Sequence, residues 1–312
     1  MKALLPALTR ASIEPHLPPL LEVSWWASPA EATDAIRHAD IAWIDMQPTS
    51  LVADTLAAAG PGLQWLNTLY AGLDAFPLNR LRAAGVTVTN GAGINAISVA
   101  EYAMLGMLAA AKRFDEVVRL ADRHGWPTGA PGTIELSGSN ALVLGMGTIG
   151  TLIAARLAAF GVAVTGVTRS GRDHTLTPDQ WRARLGNYDW VILSAPSTSE
   201  TRAMVGAAEL AAMKPSAWLI NVARGDMVDQ DALVVALEQR MIAGAFLDTV
   251  HPEPLPSEHP LWSMPNAIHS MHLSGRSTTR MMERAGALFL ENLAAFLNGT
   301  QMRNVVNLDA GY

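Results

Sequence analysis

Residues 141–150 read ALVLGMGTIG, a short apolar run that breaks into Gly145-x-Gly147-x-x-Gly150 and resumes as an apolar helical stretch to Phe160. Few folds accommodate that order. The first glycine permits a tight turn, the second lets a diphosphate approach the backbone, and the third lets helix and strand pack closely. The start of the helix then offers unpaired N–H groups and the positive end of its dipole. The run therefore predicts a parallel α/β unit built to hold a dinucleotide.

The next strand bears on which dinucleotide. About twenty residues beyond the turn, where an acid would hold the ribose hydroxyls of NAD, the chain has Thr168-Arg169-Ser170-Gly171-Arg172. An acid there would repel a 2′-phosphate, whereas arginine and serine can bind one. Arg169, Ser170 and Arg172 thus point to NADP(H) as the preferred cofactor, with NAD(H) as the alternative.

Two series of short apolar runs separated by helix-forming stretches surround this feature. The first has strand candidates at 3–5, 21–25, 41–44, 65–68 and 86–89, with helices at 29–38 and 51–59. The second has them at 141–144, 162–167, 190–193, 217–221, 244–247 and 267–269. Such spacing indicates parallel sheets, and the six runs of the second series match a doubly wound nucleotide domain. Two long helix candidates, 97–122 and 278–297, bracket that series. The expected fold is α/β, with two Rossmann-like or flavodoxin-like domains and the nucleotide domain inserted into the other. Residues 1–96 would form the first part of a substrate domain and 97–278 the NAD(P)-binding domain. Residues 279–312 would supply a C-terminal helix and a tail returning to the substrate domain.

Composition narrows the function classes. Half of the 312 residues are apolar, 16% are charged and the formal net charge is −6, a balance that suits a soluble enzyme. Without a basic block or interleaved aromatic and basic residues, no nucleic-acid partner is expected. No uncharged apolar run approaches the roughly 18 residues of a membrane span, and the N-terminus lacks a secretory pattern. A cytoplasmic location is expected. Zero cysteines exclude a disulfide scaffold and a thiolate nucleophile. His251 and His259 lie too far apart in a proline-rich loop to start a compact ligand set, so no metal is expected.

Three side chains carry chemistry. Arg224 follows the run 217–222 and offers the planar fork that suits a carboxylate. Glu253 sits between Pro252 and Pro254, and His272 lies just past the last predicted strand. His269 is its rival, but it falls inside the strand and is expected to be buried or satisfied. Together they provide what reduction of a 2-oxo acid requires: a carboxylate anchor, a proton donor and an acidic partner for that donor.

With these residues in place, the chain resembles the D-isomer-specific 2-hydroxyacid dehydrogenase family, in its glyoxylate/hydroxypyruvate reductase-like branch. The resemblance runs from Leu66 onward. It rests on Tyr70-Ala-Gly-Leu-Asp74, Asn90-Gly-Ala-Gly-Ile-Asn95, Val99-Ala-Glu101, the glycine turn, Asn221-Val-Ala-Arg-Gly225, Leu247-Asp248 with Glu253-Pro254, His259-Pro-Leu-Trp262 and the His272 segment. It implies that His272 is the acid/base, Glu253 its partner and Arg224 the substrate clamp. Backbone N–H groups at Ala71 and Gly72 would take the substrate carboxylate. Thr148 and Ile149 would meet the pyrophosphate, Asp248 the nicotinamide carboxamide, and Ala195, Pro196, Val222 and Gly275 would line the cofactor site. The implied activity is NADPH-preferring reduction of a small 2-oxo acid to the D-2-hydroxy acid by a homodimer. Alternatives are an NAD-dependent enzyme for a bulkier keto acid and a nucleotide-sensing, non-enzymatic relative. Two positions depart from the family pattern. Met271 stands where proline commonly precedes the histidine, which removes a rigid φ, and Ser197 replaces a larger apolar residue.

Overall fold

A computed structural model describes residues 1–45, 50–73, 75–277 and 280–309. It divides into two compact units, Met1–Asn95 with Ser277–Tyr312, and Ala96–Arg276. The expected joint at 278/279 lies outside the described residues.

The first unit holds five parallel strands, β1 (Lys2–Pro6), β2 (Glu22–Trp26), β3 (Ile41–Trp43), β4 (Trp65–Asn67) and β5 (Thr87–Thr89), in the order β2-β1-β3-β4-β5. The order reverses between β1 and β3, which pair through Ala3 with Ile41 and Leu4 with Ala42. One apolar layer packs Leu4, Ala42, Leu66 and Val88 against Ala32, Ile36, Val52, Leu56 and Leu81. The other sets Leu5, Ile41, Trp43 and Trp65 against Ala285, Phe289 and Leu293 of the helix Met281–Leu297. Phe289 lies 5.1 Å from the Trp43 ring and stacks on Trp65 at 5.2 Å. That helix was expected to start at 278; Thr278 and Thr279 lie outside the described residues. Beyond it the chain returns to β5: the Val306 N–H donates to the Val88 carbonyl at 2.8 Å, and the Asn90 N–H to Asn304 at 3.1 Å.

The second unit carries β6 (Asn140–Leu144), β7 (Ala163–Val167), β8 (Trp190–Leu193), β9 (Trp218–Asn221), β10 (Gly244–Leu247) and β11 (Ala267–His269), in the order β11-β10-β9-β8-β6-β7. All pairs are parallel. Outside β7, Leu176 forms a single parallel bridge to Val167 where a further strand would pair. The β6 and β8 strands run through the point at which the order reverses, the place where such sheets bind ligands. Both faces are covered, as parallel strands require, by two buried apolar clusters.

One expected element is corrected. The stretch 97–122 is not one helix but two, Ala96–Lys112 and Phe114–Asp122, broken at Arg113 with φ 49° and ψ 45°. The Arg113 side chain stabilises the break. It donates to the Pro265 carbonyl at 2.6 Å and reaches Asp115 and Glu116 in the first turn of the next helix.

Candidate active site

Gly145 follows β6 with φ 104° and is packed so that a Cβ would stand 2.6 Å from the Ala195 backbone. Both facts demand glycine. At Gly150 a Cβ would meet the Gly145 carbonyl at 1.9 Å, so the helix Thr148–Ala159 can start close to the strand. At Gly147, by contrast, a Cβ would meet nothing within 4 Å. Gly147 precedes the helix without a side-chain cap, and among the described residues the N–H groups of Thr148 and Ile149 have no acceptor. Open space over a glycine beside uncapped donors is a cradle of the right chemistry for a diphosphate, so this turn fits a dinucleotide.

The residues expected at the ribose end of that cradle are more committed than the sequence suggests. Arg169 is exposed and donates to the Glu200 carboxylate at 2.7 Å. Ser170 and Arg172 are exposed or nearly so on the same turn, with Arg172 3.9 Å from Asp173. Ala195 and Pro196 follow β8, and Val222 is buried just after β9. Ser197 donates to Asp226 at 2.8 Å, which gives its hydroxyl a structural partner.

Arg224, Glu253 and His272 emerge from the C-terminal ends of the adjacent strands β9, β10 and β11. The His272 Nδ1 and Glu253 Oε2 atoms are 2.7 Å apart, with the two side chains 43% and 37% exposed. Glu253 Oε1 accepts from the Val250 N–H at 3.2 Å. Burial alone would raise the Glu253 carboxyl, but the His272 hydrogen bond and charge, the Val250 N–H and the Arg224 charge hold it below the ordinary glutamate value. Among the described residues His272 Nε2 has no partner. Arg224 leans back on its own chain, donating to the Ala223 carbonyl at 2.8 Å, and Asn221 Nδ2 fixes the Arg224 carbonyl at 2.9 Å. Gly225 lets the two loops meet: a Cβ there would lie 2.0 Å from the Val250 backbone.

Asp248 does something composition did not indicate. It is 1% exposed, and its Oδ1 accepts from the Ser270 hydroxyl at 2.6 Å and from the N–H groups of Leu273 and Ser274 at 3.0 and 3.3 Å. Its carbonyl takes the His272 N–H at 2.6 Å. Within this anchored loop Met271 and His272 have φ 53° and 54°. A proline cannot adopt that φ, so the loop is fixed by the carboxylate beneath it. Ser274, next to Gly275, is tied by the Ser98 hydroxyl at 2.6 Å. His269 is satisfied as expected. It hydrogen-bonds the Leu261 carbonyl at 2.9 Å, lies 5.1 Å from the Trp262 ring, and is held below the ordinary histidine value by burial.

Ala71 and Gly72 belong to the loop after β4 in the first unit. Among the described residues neither N–H has an acceptor, while the Ala71 carbonyl takes Asn90 Nδ2 at 2.9 Å. Asp74, the last residue of that motif, lies outside the described residues. No group of three or more possible metal ligands occurs among the described residues.

Residues 104–274 match the family model for the D-isomer specific 2-hydroxyacid dehydrogenase, NAD binding domain. Glyoxylate/hydroxypyruvate reductase B of Pectobacterium carotovorum is 34% identical over 258 residues, covering 79% of this chain and 80% of that protein. A D-isomer specific 2-hydroxyacid dehydrogenase family protein of Aeromonas salmonicida superposes with a TM-score of 0.88 at 27% identity, covering 99% of both chains. An NADPH-dependent glyoxylate/hydroxypyruvate reductase of Sinorhizobium meliloti superposes with a TM-score of 0.81 at 27% identity, covering 98% of both.

Proposed function

Because the chain belongs to the D-isomer specific 2-hydroxyacid dehydrogenase family and is an NAD(P)-dependent oxidoreductase, we propose that it reduces a small 2-oxo acid of the glyoxylate or hydroxypyruvate kind to the D-2-hydroxy acid, with NADPH preferred. The observation that carries the reading is the 2.7 Å His272–Glu253 pair beside Arg224, at the ends of three neighbouring strands.

When bound, the nicotinamide supplies a hydride to the carbonyl carbon. Everything else falls to this chain. His272, its Nδ1 held by Glu253, keeps Nε2 for the proton that the carbonyl oxygen needs as negative charge develops there. Glu253 stabilises the protonated imidazole and fixes its ring. Arg224 clamps the substrate and balances its charge, and the N–H groups of Ala71 and Gly72 receive its carboxylate. Gly145, Gly147, Gly150, Thr148 and Ile149 form the diphosphate seat, and Ala195, Pro196, Val222 and Gly275 line the ribose and nicotinamide path. Asp248 serves the carboxamide from an acceptor already shared with its loop. Arg169, Ser170 and Arg172 favour a 2′-phosphate, which supports NADPH over NADH, and the S. meliloti enzyme is itself described as NADPH-dependent.

The chain is proposed to act as a homodimer. Leu105, Phe114, Val118, Trp126 and Ile134, all in the second unit, expose apolar side chains, with Trp126 96% exposed, and such exposed apolar side chains suit a subunit contact. Among the described residues no helix is long and apolar enough to cross a membrane; a chain without cysteine suits a reducing compartment, and the proposed location is the cytoplasm.

A steady-state panel of glyoxylate, hydroxypyruvate and phenylpyruvate, each with NADPH and with NADH, tests the proposal. Turnover of the two smaller acids with a higher kcat/KM for NADPH is the expected result. Turnover of phenylpyruvate alone would move the substrate to the bulkier class, and no oxidation of either cofactor would remove the activity.

A further inference from the structure

One ionisable group has no part in the chemistry above yet sits among loop ends in the first unit. Asp45 follows β3, at the point where the strand order of that sheet reverses. Its carboxylate accepts from the Thr68 hydroxyl, from the Trp43 indole N–H, and from the Leu69 N–H at 3.0 and 3.2 Å. Thr68 Oγ1 in turn accepts from the Tyr70 N–H at 3.1 Å. The donors of three successive residues, 68, 69 and 70, therefore run to one carboxylate, directly or through a single hydroxyl. Among the described residues, the next two N–H groups, of Ala71 and Gly72, are left without an acceptor.

We propose that Asp45 is a positioning residue for substrate binding, whose carboxylate pins Thr68, Leu69 and Tyr70 so that the Ala71 and Gly72 N–H groups remain available to the substrate's carboxylate. The proposal rests on the reading of that loop given under Proposed function. Among the described residues, both Asp45 oxygens face donors only. A carboxylate has acceptors on both sides, whereas an amide would set its own N–H against Trp43 or Thr68. Burial pushes the Asp45 carboxyl up to about 6, against the pull of Thr68, Leu69 and Trp43, so the ionised form that the donors match is present at neutral pH. The far side of the loop is tied as well: Asn90 Nδ2 holds the Ala71 carbonyl, and the Gly91 N–H holds that of Tyr70 at 3.0 Å. The loop is thus fixed at its carbonyls by the β5 end and at its donors by Asp45.

The test uses the full chain with saturating NADPH and glyoxylate as the varied substrate, comparing wild type with Asp45→Asn, Thr68→Val, Thr68→Ser and Gly72→Pro. Asp45→Asn and Thr68→Val are expected to raise KM for glyoxylate about ten- to hundredfold, as loss of one or two oriented hydrogen bonds would. In both, kcat should stay within about threefold and the NADPH dissociation constant, read by fluorescence, should be unchanged. Thr68→Ser, which keeps the hydroxyl, should restore KM. If Asp45→Asn does not fold by circular dichroism, the Thr68 pair decides. Unchanged KM in folded Asp45→Asn and Thr68→Val, with a raised KM in Gly72→Pro, would overturn the role of Asp45 and leave the loop reading standing. A normal KM in Gly72→Pro would overturn the loop reading and this role with it.

Discussion

Asp45 and Asp248 are built alike and hold loops of different kinds. Each follows a strand, and each accepts from a hydroxyl in a loop beyond a neighbouring strand, Thr68 or Ser270; from that same loop Asp45 also takes the Leu69 N–H and Asp248 those of Leu273 and Ser274. The loop over Asp45 presents backbone donors at Ala71 and Gly72. The loop over Asp248 presents a side chain, His272, and passes through two left-handed non-glycine residues to do so. Each such residue costs roughly 1–2 kcal/mol, which agrees with the deeper burial of Asp248 and the extra 2.6 Å bond from the His272 N–H to its carbonyl. A loop that works through its backbone needs only a fixed path. A loop that works through one side chain needs the path and the residue.

That contrast is sharpest at His272. Replacing it with alanine should lower kcat by about 10²- to 10⁴-fold, the usual worth of a positioned acid, with NADPH affinity retained in a fluorescence titration. Turnover near the wild-type rate would break the contrast, because the second loop would then carry no side-chain chemistry. Asp248→Ala comes next. It strands the N–H groups of Leu273 and Ser274, at about 1–3 kcal/mol each where buried, so the melting temperature should drop and kcat should fall about ten- to hundredfold through a displaced imidazole. A lower melting temperature with unchanged kcat would make Asp248 a packing residue only.

A smaller effect concerns Asp45 and pH. The folded value of Asp45 is raised from 3.8 to about 6. The fold therefore holds this proton more tightly than the unfolded chain, and stability present below pH 4 is lost as pH rises through about 6. Urea denaturation should show wild type losing up to about 3 kcal/mol relative to Asp45→Asn over that window; parallel curves would refute it. Smallest of all is Ala71→Ser, which changes a side chain and keeps the N–H. It should alter KM and kcat by less than about twofold if the first loop acts through its backbone.

Strands were legible because each is an apolar run cut off by turn residues. The runs 190–193, 244–247 and 267–269 coincide with β8, β10 and β11, and the others differ by a residue or two at their ends. The break at Arg113 was not legible, since neither glycine nor proline marks it. The nearest signal is the change from Lys112-Arg113 to Asp115-Glu116, basic at a helix end and acidic at the next start. Arg224, Glu253 and His272 could be read because each lies just past its own strand. Asp45 could not, because its donors come from residues 43, 68 and 69 and only the pairing of β3 with β4 brings them together. The Met271 position misled for a related reason: a local rule about proline says nothing of a backbone that a distant carboxylate has bent into the left-handed region.

The Arg169–Glu200 ion pair bears on the proposed preference for NADPH. Two mostly solvated side chains, 73% and 62% exposed, hold each other by an interaction worth no more than about 1 kcal/mol. Glu200 is in effect a weak tenant on the guanidinium, easily evicted by a dianion and hardly at all by a neutral hydroxyl. Under the proposed role of Arg169, selectivity at such a rim would grow as the salt concentration falls, and it would be adjustable from the acid's side without touching the arginine.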